Sequence, residues 1–196
     1  MPYIRRKNPY WSGYSYEKIL DLRFVDLNIK LSDTSLMSHI YQLYEELECR
    51  GIKFKPHCWL SDEWFSPDKI PGIAIPFYLA HAKLIKLEAQ QVFEVEGGTE
   101  RSCMRLLRHE AGHPISTVYQ LSRRKKIKRV FGDFNKKYPD HYRPNPKSKN
   151  YVMHLDWWYA QSHPAEDFAE TFAVWLKPRS RWRTEYKDWA VLKKLN

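Results

Sequence analysis

The stretch "LLRHEAGHPISTVYQL", residues 106 to 121, constrains this chain more than any other part of it. On an α-helix, positions i and i+4 lie on one face about one turn apart, so His109 and His113 point the same way and Glu110 projects beside them. Zinc takes nitrogen and oxygen donors in a tetrahedral set, and a catalytic site uses three protein ligands and leaves the fourth position for water. Two ligands and a candidate general base therefore come from a single turn. Whatever the chain folds into must bring a third donor to that face.

A metzincin-type site needs a Gly at the seventh position after the first His and a third His at the tenth. Those positions hold Ser116 and Tyr119, which excludes it. The alternative is a carboxylate from a later helix, and "HPAEDFAETFAVWL" offers Glu166, Asp167 and Glu170. Pro164 suits a first-turn position after a Ser162 or His163 cap, and Pro178 marks the end. Glu166 and Glu170 share a face, while Ala165, Phe168, Ala169, Phe172 and Ala173 supply a packing surface with small residues that allow close helix approach. One Glu can bind metal while the other accepts the remaining ring N–H of a ligand histidine. The spacing alone does not say which.

HEAGH followed about fifty residues later by "YAQSHPAEDFAE" resembles the gluzincin metallopeptidases, in particular a bacterial family of zinc-binding metallopeptidases. The spacing from Tyr159 to the Glu-x-x-Ala-Glu motif is also similar to that of the anthrax lethal factor catalytic domain. The segments "EWFSPDKIPGIAIPFYLAH" and "EDFAETFAVWL" extend the resemblance from about residue 20 to the end. The resemblance implies that Glu166 is the third ligand, that Glu170 supports a ligand histidine and that Tyr159 stabilises an oxyanion or leaving group. It also implies one zinc ion per chain. Pro114 departs from the pattern: it removes the helical bond to the carbonyl of Glu110 and should kink the helix there.

Residues 1–16 read as an aromatic, polar N-terminal arm. "LRFVDLNIKL" places Val25, Leu27, Ile29 and Leu31 on one side, the period-2 pattern of a half-buried strand. "SDTSLMSHIYQLYEELECRG" is a helix with Gly51 as its stop. "IKFKPHCWL" reads as a strand, "SDEWFSPDKIPG" as a loop, and "IAIPFYL" and "KLIKLEAQQVFEVEGG" as extended segments. Pro76 cannot donate a ladder hydrogen bond, which makes "IAIPFYL" an edge strand or a bulge. Residues 131–150 carry no apolar periodicity and read as a long loop between the two parts of the site, a length usually tied to function or disorder. The fold class expected is α+β: one zincin-like domain with a twisted mixed sheet, the HExxH helix and a mostly helical C-terminal part. Residues 17–122 would form the sheet and histidine-helix lobe, and residues 151–196 the part carrying the third ligand.

Lys and Arg outnumber Asp and Glu by 33 to 23, giving a formal net charge of +10, with a dense run at residues 123–129. No aromatic residue interrupts that run, so it reads as a solvated turn after a helix and not as a nucleic-acid patch. Cys49, Cys58 and Cys103 show no CxxC spacing and an odd count, which fits reduced thiols in a cytosol. The N-terminus lacks the apolar segment of a secretory signal, and no window approaches a membrane span. The expectation is a cytoplasmic protein. His163 and His154 read as cap or surface residues, His57 and His141 as ordinary, and Trp157 and Trp158 as wall or core.

These readings combine into a zinc-dependent hydrolase of peptide bonds. His109, His113 and Glu166 hold the metal, Glu110 takes the proton of the attacking water, and Tyr159 steadies the oxyanion. An extended peptide would pair with the edge strand near "IAIPFYL". The alternative is a non-catalytic module in which zinc ties two lobes together and the basic face engages nucleic acid or an acidic partner. Glu110, unnecessary in a purely structural site, argues against it. Another amide substrate remains a narrower option.

Overall fold

The computed structural model describes residues 8–196. It is mixed α+β, mostly helical, with one small parallel sheet. The α-helices are α1 (Tyr16–Leu20), α2 (Leu36–Cys49), α3 (Ala82–Glu88), α4 (Glu100–Val118), α5 (Lys125–Phe131), α6 (Pro164–Leu176), α7 (Trp182–Glu185) and α8 (Leu192–Leu195). The strands are β1 (His57–Ser61) and β2 (Gly72–Pro76), paired in parallel with His57 opposite Gly72 and Ser61 opposite Pro76. No described helix is long and apolar enough to cross a membrane.

The sheet is therefore smaller than expected, a parallel pair in place of a twisted mixed sheet. β2 is an edge of this two-stranded sheet, as expected from Pro76, but not a fully open one. One side pairs with β1, and on the other the Ala74 N–H donates to the Phe65 carbonyl (2.8 Å) in an isolated antiparallel bridge. The loop after β1 thus covers β2, and Pro76 sits at the end of the strand. All of β2 is buried, which is why it reads as a continuous apolar run.

Three other expectations fail for local reasons. The segment around Val25 forms two 3-10 turns, Phe24–Leu27 and Leu31–Asp33, with Asn28 left-handed between them. The Asp26 carboxylate accepts from the Arg23 backbone (3.0 Å) and pairs with its guanidinium (2.9 Å), closing a turn that overrides the alternation, and Val25 is left exposed. "KLIKLE" is helical because the His81 ring caps it, accepting from the Lys83 N–H (3.1 Å), and Leu84 and Leu87 face inward three apart. The basic run is mostly helix α5, with its charges in solvent as expected. The described part of the N-terminal arm is also packed: Trp11 is fully buried, its indole donates to the Leu27 carbonyl (2.8 Å), and it shares a cluster with Ile19, Leu27, Leu84 and Leu87. Residues 1–7 of that arm lie outside the described residues.

The main core positions the histidine helix. Leu107, Ala111 and Ile115 of α4 pack with Ile40, Leu43 and Leu47 of α2, Ile73 and Ile75 of β2, and Phe168, Phe172 and Leu176 of α6. A buried bidentate ion pair, Arg108 Nε to Glu46 Oε2 (2.7 Å) and Nη2 to Glu46 Oε1 (2.8 Å), pins α4 to α2. At Gly112 the α4 and α6 backbones come close, and an added Cβ would stand 2.8 Å from the Ala169 Cα. Val152, Val174, Trp182, Tyr186, Val191 and Leu195 form a separate cluster that closes the C-terminal part over the outer face of α6.

Candidate metal centre

The α4 helix begins with a reciprocal cap, the Thr99 hydroxyl accepting from the Ser102 N–H (3.1 Å) and the Ser102 hydroxyl from the Thr99 N–H (3.0 Å). The α6 helix begins at Pro164 under the His163 ring, which accepts from the Ala165 N–H (3.1 Å). Fixed by these starts and by the Gly112–Ala169 contact, the two helices turn His109, His113, Glu166 and Glu170 toward each other. His163 is the cap that the sequence offered beside Ser162.

Glu166 is the carboxylate that meets both imidazoles. Its Oε2 lies 3.1 Å from His109 Nε2 and 3.5 Å from His113 Nε2. Among the described residues His109, His113 and Glu166 form the one cluster with metal-ligating geometry, their donor atoms all within 4.8 Å of one another. Zinc bonds of about 2.0–2.2 Å at tetrahedral angles put donors about 3.3–3.6 Å apart, close to the two Glu166–histidine separations. Glu170 has neither oxygen free: Oε1 accepts from His109 Nδ1–H (2.8 Å) and Oε2 from the Leu155 N–H (2.7 Å). That contact directs His109 Nε2 at the cluster.

The electrostatics ask for a cation. Burial disfavours charge on His109, yet the Glu166 and Glu170 carboxylates overcome it and push its pKa up to about 10. Burial likewise opposes the charged form of Glu166, but its contacts with His109 and His113 hold it well below the usual carboxylate range. In the metal-free protein a proton on His109 neutralises what a metal would.

Glu110 is buried next to this set without belonging to it. The Ser66 hydroxyl lies 3.0 Å from Glu110 Oε2 and 3.1 Å from the Glu110 carbonyl. That carbonyl is the one whose helical donor Pro114 removes, so the serine restores a partner to the group the proline orphaned. The α4 helix continues past Pro114 to Val118.

Tyr159 faces the cluster, its ring centroid 5.7 Å from that of His109. It reaches there because Trp157 and Trp158 both take left-handed backbone conformations, φ 59° and 54°, which reverse the chain inside the 3-10 segment Asp156–Gln161. Trp157 is thereby turned out to solvent as exposed wall. Burial, followed by the charges of Glu166, Glu110 and Glu170, pushes the Tyr159 phenol up and keeps it a proton donor.

Tyr138 and Ser66 are the residues the sequence did not announce. Tyr138, from the long loop, donates from its hydroxyl to Glu166 Oε1 (2.6 Å), and its ring stacks on His163 at 3.8 Å. Both arrive on loops, where no periodicity marks a residue as inward-facing. His154 is half-buried, and its Nε2 meets the Arg105 carbonyl (3.0 Å). The cluster opens to a cleft of about 750 Å³ lined by His109, Glu110, His113, Tyr138, Tyr159 and Glu166 among others.

No curated protein and no solved structure matches the chain. Residues 87–188, more than half of the chain and all of α4 and α6, match the family described as "putative zinc-binding metallo-peptidase". The chain belongs to that family.

Proposed function

We propose that the chain is a zinc-dependent peptidase of the gluzincin type, one zincin-like catalytic domain that hydrolyses peptide bonds. His109, His113 and Glu166 would hold a single zinc ion, a role supported by their donor spacing and burial. Bound zinc supplies a Lewis acid that lowers the pKa of water and polarises the scissile carbonyl. Glu110 takes the proton of the attacking water and passes it to the leaving amine. Ser66 holds the Glu110 carboxylate in place for both transfers. Tyr159, kept protonated, donates to the developing oxyanion. Glu170 fixes the orientation of His109 from behind.

The observation that carries this reading is Glu110 itself: a carboxylate outside the three-donor set, beside it, anchored by a serine and facing a cleft. A purely structural site has no use for it. Metal analysis should find about one zinc per chain, lost in His113→Ala. Glu110→Gln should retain the zinc and abolish hydrolysis of an unstructured protein substrate. Retained hydrolysis would remove Glu110 as the base, and zinc retained by His113→Ala would remove the ligand assignment.

A further inference from the structure

The cleft has two ends of opposite charge. It runs along α4, whose cleft-facing residues from Ser102 through Arg105, His109 and His113 to Thr117 span about 22 Å, room for about seven residues of extended peptide. Past the N-terminal half of α4 lies a recess of about 420 Å³ with Glu94, Glu96 and Asp156 on its walls. Its one cation, Arg105, is paired with Asp156 (3.2 Å). The larger space past the C-terminal half of α4 is walled by Lys69, Arg123, Lys136 and Lys137, with Asp68 the one acidic side chain there besides the site's own Glu110 and Glu166. His109, Glu110, Trp64 and Tyr159 line both spaces, so the catalytic residues stand at the junction. Among the described residues none of Glu94, Glu96, Lys69, Arg123, Lys136 and Lys137 makes an ion pair. Their charges are free for a ligand.

The backbone supplies a direction. Phe65 bridges Ala74 in antiparallel sense with its carbonyl turned to β2, so the alternation of an extended chain would turn the backbone groups of Trp64 and Ser66 away from β2. Trp64 lines both spaces, while Phe65 to Lys69 line only the basic one, so this rim runs from the acidic end toward the basic end. A peptide adding to it in the more stable antiparallel sense runs the other way. Its residues before the scissile bond lie among Lys69, Arg123, Lys136 and Lys137; those after it lie among Glu94, Glu96 and Asp156.

We propose that the substrates are extended, charge-segregated peptide segments, acidic on the N-terminal side of the cut and basic on the C-terminal side. This rests on the peptidase reading for its chemistry but not for its binding. The same segregation complements the dipole of α4, which would stabilise the helix without choosing between peptides. Peptide order therefore separates the two.

The test uses eight-residue fluorogenic peptides with one central apolar pair and four flanking patterns: acidic then basic, basic then acidic, neutral, and charges alternating. With zinc-loaded protein at low salt the acidic-then-basic peptide should exceed its reverse in kcat/KM by about ten-fold, the sum of several exposed pairs. The gap should narrow at about 0.5 M salt. Lys69→Glu/Lys137→Glu should shrink or reverse the preference, with thermal unfolding as the check that the fold survives; Glu94→Lys/Glu96→Lys tests the other end. Equal rates for the two orders, or a faster reverse order, would overturn the inference. Should no peptide be cut, the peptidase reading fails, and fluorescence anisotropy of the same peptides on zinc-loaded Glu110→Gln decides the binding question. Tighter binding of the acidic-then-basic order sustains the inference there, and indifference to order removes it.

Discussion

The Tyr138 hydroxyl donates a 2.6 Å hydrogen bond to Glu166 Oε1, while Glu166 Oε2 faces the two histidines. The carboxylate thus divides its oxygens between the candidate metal cluster and the long loop. Burial, and after it the charge of Glu166, pushes the Tyr138 phenol up, so it remains a donor at any working pH. Tyr138→Phe keeps the ring that stacks on His163 and deletes only the hydrogen bond. The expected result is a zinc dissociation constant raised by about ten-fold or more, the usual cost of losing an outer contact to a metal ligand. Competition with a chromophoric chelator measures it, and an unchanged constant would show that Glu166 does not depend on the loop.

The residues legible from the sequence and those that were not divide along the same line. His109, Glu110 and His113 announce themselves because helical spacing fixes which side chains share a face, and α4 and α6 obey it from cap to end. Tyr138 and Ser66 come from irregular chain, where direction depends on contacts that no local pattern encodes. Period-2 alternation misled at Val25 because a short-range Arg23–Asp26 turn competes with extension there. The extended reading of "KLIKLE" failed at Leu84 and Leu87, where a histidine cap begins a helix too short to display its period. The partial cover on the β2 edge was not legible because the loop residue that supplies it, Phe65, carries no strand pattern of its own.

The cation demand of the cluster predicts proton release. With His109 raised to about 10, the metal-free protein holds that proton at neutral pH, and a metal must displace it. Calorimetric zinc titrations in buffers of different ionisation enthalpy should show about one proton released per zinc near pH 8. A histidine with the ordinary pKa of about 6.5 would release almost none there. The same shift fixes a sign for stability. The contribution of protonated His109 to the metal-free fold is complete below about pH 6.5 and is lost as pH rises through about 10. Metal-free protein should accordingly lose thermal stability over that window, and a flat profile with no proton release would contradict the assignment.

Gly112 sets how closely α4 and α6 approach. Gly112→Ala gains about 1 kcal/mol of helix propensity. Its Cβ, however, meets backbone at Ala169 and cannot be accommodated by a side-chain rotation. Overpacking of this kind costs about 1–3 kcal/mol, so the helices should be pushed apart at a net loss of about 1 kcal/mol, or a few degrees in Tm. Because the displaced residues carry His109 and His113 on one side and Glu166 on the other, zinc affinity should fall with it. A variant that is more stable and binds zinc normally would show that the contact is slack.

Thiol chemistry checks the core independently of the site. Cys49 is exposed and free, while Cys58 and Cys103 are free but buried. Burial pushes the Cys58 thiol up to about 11, only partly offset by its contact with Tyr44, and the Cys103 thiol up to about 12. A disulfide-exchange reagent should therefore find one fast thiol in the native protein and all three in denaturant. Two fast thiols would mean that the β1 or α4 packing is looser than described.

Pro114 and Ser66 together make the sharpest test of how the Glu110 carboxylate is held. Proline deletes the N–H that would reach the Glu110 carbonyl, and Ser66 reaches it from the β1–β2 connection while also touching the Glu110 carboxylate. Ser66→Ala leaves that carbonyl without a partner, at a cost of about 1–3 kcal/mol, and loosens the carboxylate. Activity on peptide should fall about ten-fold in kcat with KM nearly unchanged, since the base role proposed for Glu110 belongs to the chemical step. Pro114→Ala returns a helical donor to the carbonyl, so the stability cost of Ser66→Ala should shrink by about 1 kcal/mol in that background. The loss in kcat should persist there, because a backbone N–H cannot hold the carboxylate. Strictly additive stabilities would mean that the serine does not serve the carbonyl, and a kcat recovered by Pro114→Ala would mean that it serves nothing else.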